Sequence, residues 1–431
     1  VVAILILLPF HAFLTVWLSS GLDHYTLLRL WKEFLLLPIA LGALYFLVVE
    51  RPLLKKIWSL WLSKLIVAYS LLLLACGFVA LELNDVTAKA MWYGLLVDLR
   101  FLVFFLAVMV LAAKSGWLHR AWQKLLLAPA VLVAAFAILQ YLVLPYDFLK
   151  HFGYSQSTIF PYETINHNLE HIRVASTLRG ANPLGAYLLV PIAVIAALIF
   201  KEKRERRDKL ILAGGFLLAL FFSFSRSAWI GAGLALLTSA WLAFKSTRIR
   251  RNIVWILSAG LVIAAVLTLA LRNNLGFENA VFHTDRNSKI AVSSNEGHSA
   301  AAKAAIKDVA HHPLGSGVGT AGPQSVYNHR ARIAENYYLQ IAQEAGVLGV
   351  FLFVAICVAL GKLLFDKRAD PLALALFASL IGLSFVNLLS HAWSDDTLAY
   401  AFWGLAAIAL APAIITDKRK RKNGQNIQKS A

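Results

Sequence analysis

The stretch Phe221-Phe-Ser-Phe-Ser-Arg226-Ser-Ala-Trp-Ile-Gly-Ala-Gly-Leu-Ala235 joins two apolar runs, 210–223 and 228–244, through only a few polar residues. A water-soluble helical hairpin needs a polar face on each helix, whereas a bilayer accepts helices that are apolar all round. The turn therefore marks two antiparallel membrane helices. It leaves Arg226 at the outer membrane boundary with Ser223, Ser225 and Ser227 beside it. Gly231 and Gly233 in the second run suit close helix packing, the common use of small residues in spans.

The rest of the chain repeats the pattern. Its 431 residues are 59% hydrophobic and 15% charged, against about a quarter charged in soluble domains, and the mean hydropathy is +0.68. Twelve runs are long enough to cross about 30 Å of hydrocarbon as helices: 1–18, 33–49, 62–81, 95–113, 125–144, 183–200, 210–223, 228–244, 253–271, 337–361, 371–389 and 398–415. Trp17, Trp31, Trp58, Trp61, Trp92, Tyr93, Trp117 and Trp122 stand near the ends of the first five, as interfacial belts require. The expected fold is an all-α integral membrane protein of about twelve transmembrane helices, with one large extracytoplasmic loop containing a short helix. It divides into N-terminal helices (1–144), central helices with an Arg-bearing outward loop and hairpin (145–271), the large loop (272–336), C-terminal helices (337–415) and a basic tail (416–431).

The formal charge of +18 could suggest a nucleic-acid partner, but its placement argues against one. Of 41 Lys and Arg, 25 fall in the loops 50–60, 114–124, 201–209, 245–252 and 362–370 and in the tail. The opposite side holds 14, half of them in the long loop. Positive-inside bias then puts both termini and the short basic loops in the cytoplasm, and the long loop outside. Lys418 to Lys422 reads as an anchor beside anionic lipid. Cys76 and Cys357 lie within apolar runs and give no disulfide framework. The sequence opens Val-Val, so a true start further upstream is expected. No small-residue cleavage site follows the first run, which reads as a retained helix.

Chemistry is sought in the polar stretches. Residues 272–336 carry five of the twelve histidines, His283, His298, His311, His312 and His329, and a Gly-rich turn, Pro313-Leu-Gly-Ser-Gly-Val-Gly319. Within them 298–312 is Ala-rich and ends at Pro313, which predicts a short helix over the surface. A loop of this length is usually functional. The other outward loop, 145–182, ends in Arg173-Val-Ala-Ser-Thr-Leu-Arg179-Gly-Ala-Asn182-Pro183, where Asn-Pro opens the next span. Asp98 and Arg100 interrupt the fourth span and need partners, since an intramembrane charge costs about 2.5–3.5 kcal/mol. The loop histidines lack metal-ligand spacing, and Glu278, Asp285, Glu296, Asp308 and Glu335 form no paired cluster, so neither a metal nor another cofactor is expected.

Together the serine-arginine hairpin, Arg-x5-Arg-Gly-x-Asn-Pro-x-Gly, His-Pro-Leu-Gly-x-Gly, and Asn336 followed after nine residues by Gly-Val-Leu-Gly resemble the O-antigen ligase and polymerase superfamily over roughly residues 170–360. The resemblance implies a multi-pass protein of the bacterial inner membrane with its active site on the periplasmic face. It implies a metal-independent, inverting glycosyltransferase whose donor is an undecaprenyl-diphosphate-linked glycan. The acceptor hydroxyl belongs to a glycan, a glycolipid or a protein. Arg226 and Arg173 match the family's diphosphate-binding arginines, with Arg179 and Asn336 as further substrate-binding candidates. Where the ligases place His before Asn336, this chain has Glu335. That departure favours a polymerase, or a ligase for another polymer, over transfer to a lipid A core.

The residues support such chemistry on their own terms. Preorganised arginines at a low-dielectric boundary stabilise the charge of a departing diphosphate. Glu335 is the candidate base, its carboxyl expected to be tuned upward by burial, with His329 as the alternative. Glu335 could instead begin the next helix as a carboxylate favoured by the dipole. A reading of another class is a polytopic transporter or exporter, although internal repeats and paired broken helices are lacking.

Overall fold

A computed structural model describes residues 1–165, 168–202, 205–244, 246–248, 250–252, 255, 266, 269–271, 274 and 294–415. Most of the expected span 253–271, His283 with the neighbouring loop, and the basic tail lie outside the described residues.

The chain is mostly helical. The first run is α1 (Val2–Leu7) and α2 (His11–Leu22), separated by a turn at Pro9. A short α3 (Tyr25–Leu28) leads into α4 (Trp31–Val49), α5 (Arg51–Ser59), α6 (Trp61–Glu82), α7 (Ala88–Lys114) and α8 (Gly116–Leu142). Then come α9 (Ala181–Lys201), α10 (Arg206–Phe222), α11 (Arg226–Ala243), α12 (Ser294–His311), α13 (Tyr337–Asp366), α14 (Pro371–Val386) and α15 (Asp396–Ile415). Among the described residues, seven helices are long and apolar enough to cross a membrane: Val2–Leu22, Tyr25–Val49, α6, α7, α8, α9 and α13.

The expectation of an all-α chain needs one correction. The outward loop before α9 contains two antiparallel strands, β1 (Glu163–Ile165) and β2 (Asn168–Arg173), in register Glu163 to Arg173 and Thr164 to Ile172. They are too short to show a clear period-two pattern, and their pairing sets Arg173 opposite Glu163.

Helix α9 is buried along most of its length and packs against α10, α11 and α14. Gly231 of α11 and Gly382 of α14 are in backbone contact. A Cβ added at Gly231 would stand 2.9 Å from the Gly382 carbonyl oxygen, so no larger residue fits at this crossing.

Asp98 and Arg100 do not answer each other. Arg100 reaches Glu33 of α4 at 3.3 Å, pairs with Asp396 at the start of α15, and donates to the Ser394 carbonyl at 3.0 Å. Lys32 lies 3.0 Å from Asp396 and 3.3 Å from Glu33. Two cations thus meet two carboxylates where α4, α7 and α15 converge. Asp98 is buried and forms no ion pair among the described residues; Glu344 and Tyr337 of α13 act on it electrostatically.

The Gly-rich turn holds the large loop to the bundle. Gly315, Gly317 and Gly319 all have φ near +90°, a region open to glycine. The Ser316 and Gly317 amides donate to the Gln343 and Glu344 carbonyls at 2.7 and 2.9 Å, and the Gly319 amide to the Glu344 carboxylate at 2.8 Å. Opposite them α13 breaks at Gly346, φ 67°, and the Val347 amide donates to the Pro313 carbonyl at 3.0 Å. The glycines therefore serve close packing, Gly315 against the break in α13, Gly317 against Ala80 of α6 and Gly319 against Ala90 of α7.

Candidate active site

The α10–α11 hairpin turns within three residues, Ser223 to Ser225, with Phe224 at φ 49°. Strand β2 runs up to this turn, and the Val174 amide donates to the Phe222 carbonyl at 3.3 Å. The same contact brings in Arg173. Its Nε donates to the Ser223 carbonyl at 3.1 Å and its Nη2 to Asn182 Oδ1 at 2.6 Å, with Glu163 at 3.8 Å. Burial pushes the Arg173 guanidinium pKa down, and Glu163 pushes it up. Arg226, the first residue of α11, faces the same cavity and repels Arg173. Two cations held together against repulsion make a site prepared for an anion.

That cavity measures about 460 Å³. Arg173, Asn182, Arg226 and Ser227 form one wall, and His298, Glu335 and Asn336 stand on another. Ile230, Leu388 and Leu389 complete it with apolar side chains that are about half exposed. A polar pocket with an apolar flank fits a lipid-linked anionic group.

The opposite wall is built by the loop's return to the bundle. Helix α12 begins earlier than the predicted 298, at Ser294, and is fastened to its neighbours through Asp308. This carboxylate accepts from Arg332 Nη1 at 2.9 Å and from Gln343 Nε2 at 2.8 Å. The first turn of α12 then faces Glu335, and His298 Nδ1 lies 2.9 Å from Glu335 Oε2. Glu335 has φ 54°, a conformation that costs a non-glycine residue on the order of 1 kcal/mol and gathers at functional sites. The next residues secure it. Asn336 Oδ1 accepts from the Leu339 amide at 3.0 Å, Asn336 Nδ2 donates to the Leu388 carbonyl at 2.8 Å, and the Tyr337 amide reaches the Asn387 carbonyl at 2.9 Å.

Several expectations change here. The cap of α13 is Asn336, so the amide donors of its first turn do not depend on Glu335. The Glu335 carboxyl is not tuned upward. The hydrogen bond from His298 holds it below the usual carboxylate range, outweighing the burial that pushes the other way. Arg179 is exposed and lines the two neighbouring cavities instead of this one. His329 is also exposed and does not line the cavity. Its neighbour Asn328 contacts the α6–α7 connection, accepting from the Thr87 amide at 3.2 Å.

The residues that sequence reasoning missed are His298 as the partner of Glu335, and Glu163. Glu163 faces Arg173 and accepts from the Ala181 amide at 3.2 Å where α9 begins. The presence of His298 in a functional loop was a signal, but nothing in the spacing ties it to Glu335.

Residues 210–354 match the family model of O-antigen ligase. The match supports a place in the O-antigen ligase superfamily for this region. The matched segment of the ligase family includes Arg226, His298, Glu335 and Asn336, while Arg173 and Arg179 precede it. No curated protein matches the chain. The family and the helices together support an O-antigen ligase- or polymerase-like membrane function, a glycosyltransferase-like enzyme that joins a lipid-linked glycan to an acceptor.

Proposed function

We propose that the cavity between the hairpin and α12 transfers a glycan from undecaprenyl diphosphate to an acceptor hydroxyl with inversion and without a metal, in the making of a surface polysaccharide. The observation that carries this reading is the convergence of Arg173 and Arg226 on one wall and of the His298–Glu335 pair on another. Arg226 and Arg173 bind the two phosphates, for which planar, multiply donating guanidiniums are well shaped. The Ser227 end of α11 adds the favourable end of a helix dipole. Ile230, Leu388 and Leu389 flank the first part of the polyprenyl chain.

The base is His298, positioned by Glu335. An imidazole that donates Nδ1–H to a carboxylate keeps the Nε2 lone pair for a proton, and a carboxylate held acidic is itself a weak base. The acceptor oxygen forms a bond to the anomeric carbon as its proton passes to Nε2. The bond from that carbon to the phosphate oxygen breaks on the opposite side, and undecaprenyl diphosphate leaves with the electron pair, its charge stabilised by the arginines. Glu335 and the built pocket favour a ligase or polymerase of this superfamily over the transporter reading. Positive-inside charge supports a site on the outer face of the bacterial inner membrane, within about twelve spans and with both termini cytoplasmic.

Lipid-linked glycan donor is supplied to right-side-out membrane vesicles that carry the protein. Undecaprenyl diphosphate should be released as glycan joins the acceptor, with EDTA present or absent. Glycan movement without release would indicate a transporter, and turnover confined to inside-out vesicles would contradict the topology.

A further inference from the structure

Three cavities follow one another along the outward ends of the helices. The donor pocket meets a second chamber of about 310 Å³ at Asn182 and Glu335. The second meets a third, of about 360 Å³, at Arg179, Ser394 and Asp395. The string leads away from the apolar flank of the donor pocket, past His391, to a chamber that Tyr25, Arg29 and Tyr93 also line.

Charges in the third chamber are unevenly satisfied. The carboxylates are already engaged. Asp396 is shared by Lys32 and Arg100, and Asp395 Oδ1 accepts from the Thr397 and Leu398 amides at 3.0 and 3.3 Å. Two guanidiniums form no ion pair among the described residues, although Arg179 acts electrostatically on Asp395. Arg29 donates from Nη2 to Tyr93 Oη at 2.6 Å and lies 5.6 Å from the Tyr25 ring centre. Arg179 is exposed and forms neither a hydrogen bond nor an ion pair with any described residue. Both act electrostatically on His11, which lines the same chamber, so both face one space. Guanidiniums outside any ion pair, beside half-buried phenol rings, offer charge recognition and a flat apolar surface together.

We propose that the second and third chambers form the acceptor subsite, and that it takes a saccharide carrying an anionic group, a carboxylate or a phosphate, which Arg29 and Arg179 bind. The naming of this ligand as the acceptor rests on the transfer reading above. A saccharide seated there reaches the donor pocket past Glu335, next to the base. The ring faces of Tyr25 and Tyr93 support the sugar while the arginines hold its charge.

The test uses the full chain in lipid nanodiscs and three probes: a disaccharide containing glucuronic acid, a disaccharide monophosphate and neutral cellobiose. By calorimetric titration at least one anionic probe should bind tenfold or more tighter than cellobiose, and the ranking of the two tells carboxylate from phosphate. Arg179→Gln, at an exposed position, should weaken that probe at least tenfold and leave cellobiose unchanged, and Arg29→Gln should do likewise. Equal affinity for charged and neutral probes, no binding of any probe, or an Arg179→Gln protein that binds like the parent would overturn the proposal. Binding that depends on both arginines in a protein that releases no undecaprenyl diphosphate would keep the anionic site and refute the transfer reading.

Discussion

Arg100 and Arg173 are both guanidiniums set among apolar helices, and their partners differ in kind. Arg100, 6% exposed, is matched to Glu33 and Asp396, which also serve Lys32, so charge balances within the cluster. Arg173, 13% exposed, directs its donors to the Ser223 carbonyl and the Asn182 amide, and its only carboxylate neighbour among the described residues stands 3.8 Å away. A like charge, Arg226, shares its cavity. The first arrangement is neutral, as a largely buried strut between α4, α7 and α15 must be. The second sets two guanidiniums on the wall of an open pocket, an arrangement that suits a ligand. Removing a member of each group should therefore have opposite consequences.

Arg100→Ala leaves Lys32 as the one cation, among the described residues, for both Glu33 and Asp396, and breaking a buried pair in this way costs about 3–5 kcal/mol. Thermal unfolding of the purified protein should show the loss. Unchanged stability would mean that the cluster is wet and the contrast with Arg173 is false.

Glu335→Gln keeps the shape of the side chain and removes the charge that positions His298. Turnover should fall about a hundredfold, the scale of losing a positioned base. Stability should change by less than about 1 kcal/mol, because the His298–Glu335 contact is partly exposed and screened. The pH dependence has a definite sign. A carboxyl held below its usual range stabilises the fold above the ordinary carboxylate pKa, and that contribution is lost as pH falls through the lowered value. The small stability difference between Glu335→Gln and the parent should thus be present at neutral pH and vanish in acid. A Glu335→Gln protein with near-normal turnover would remove the pair from catalysis.

Membrane class was legible in the sequence because it depends on runs of apolar residues, which need no knowledge of contacts. The hairpin at Arg226 and the helix of the large loop were legible for the same reason, their signals being local. Arg173 could be tied to Arg226 only through the resemblance, and the structure adds the means, a short strand that ends against the hairpin carbonyls. The pairing of His298 with Glu335 could not be read, since a helix and the Gly-rich turn separate them and Asp308 sets the angle of that helix. Nor could the partner of Arg100. Asp98 is the near acid in sequence, yet it lies two positions away on the same helix and cannot face the same neighbour. Asp396, almost at the other end of the chain, answers Arg100 instead.

The most direct test of the account measures undecaprenyl diphosphate binding to the folded parent, Arg226→Ala and Arg226→Lys proteins in nanodiscs. Arg226→Ala should bind at least tenfold more weakly with an unchanged melting temperature, and Arg226→Lys should recover only part of the loss, since an ammonium supplies charge without the planar fork. An Arg226→Ala protein that binds the diphosphate as the parent does, or that loses stability instead of affinity, would make the hairpin arginine a strut like Arg100 and contradict the assignment of this pocket to the donor.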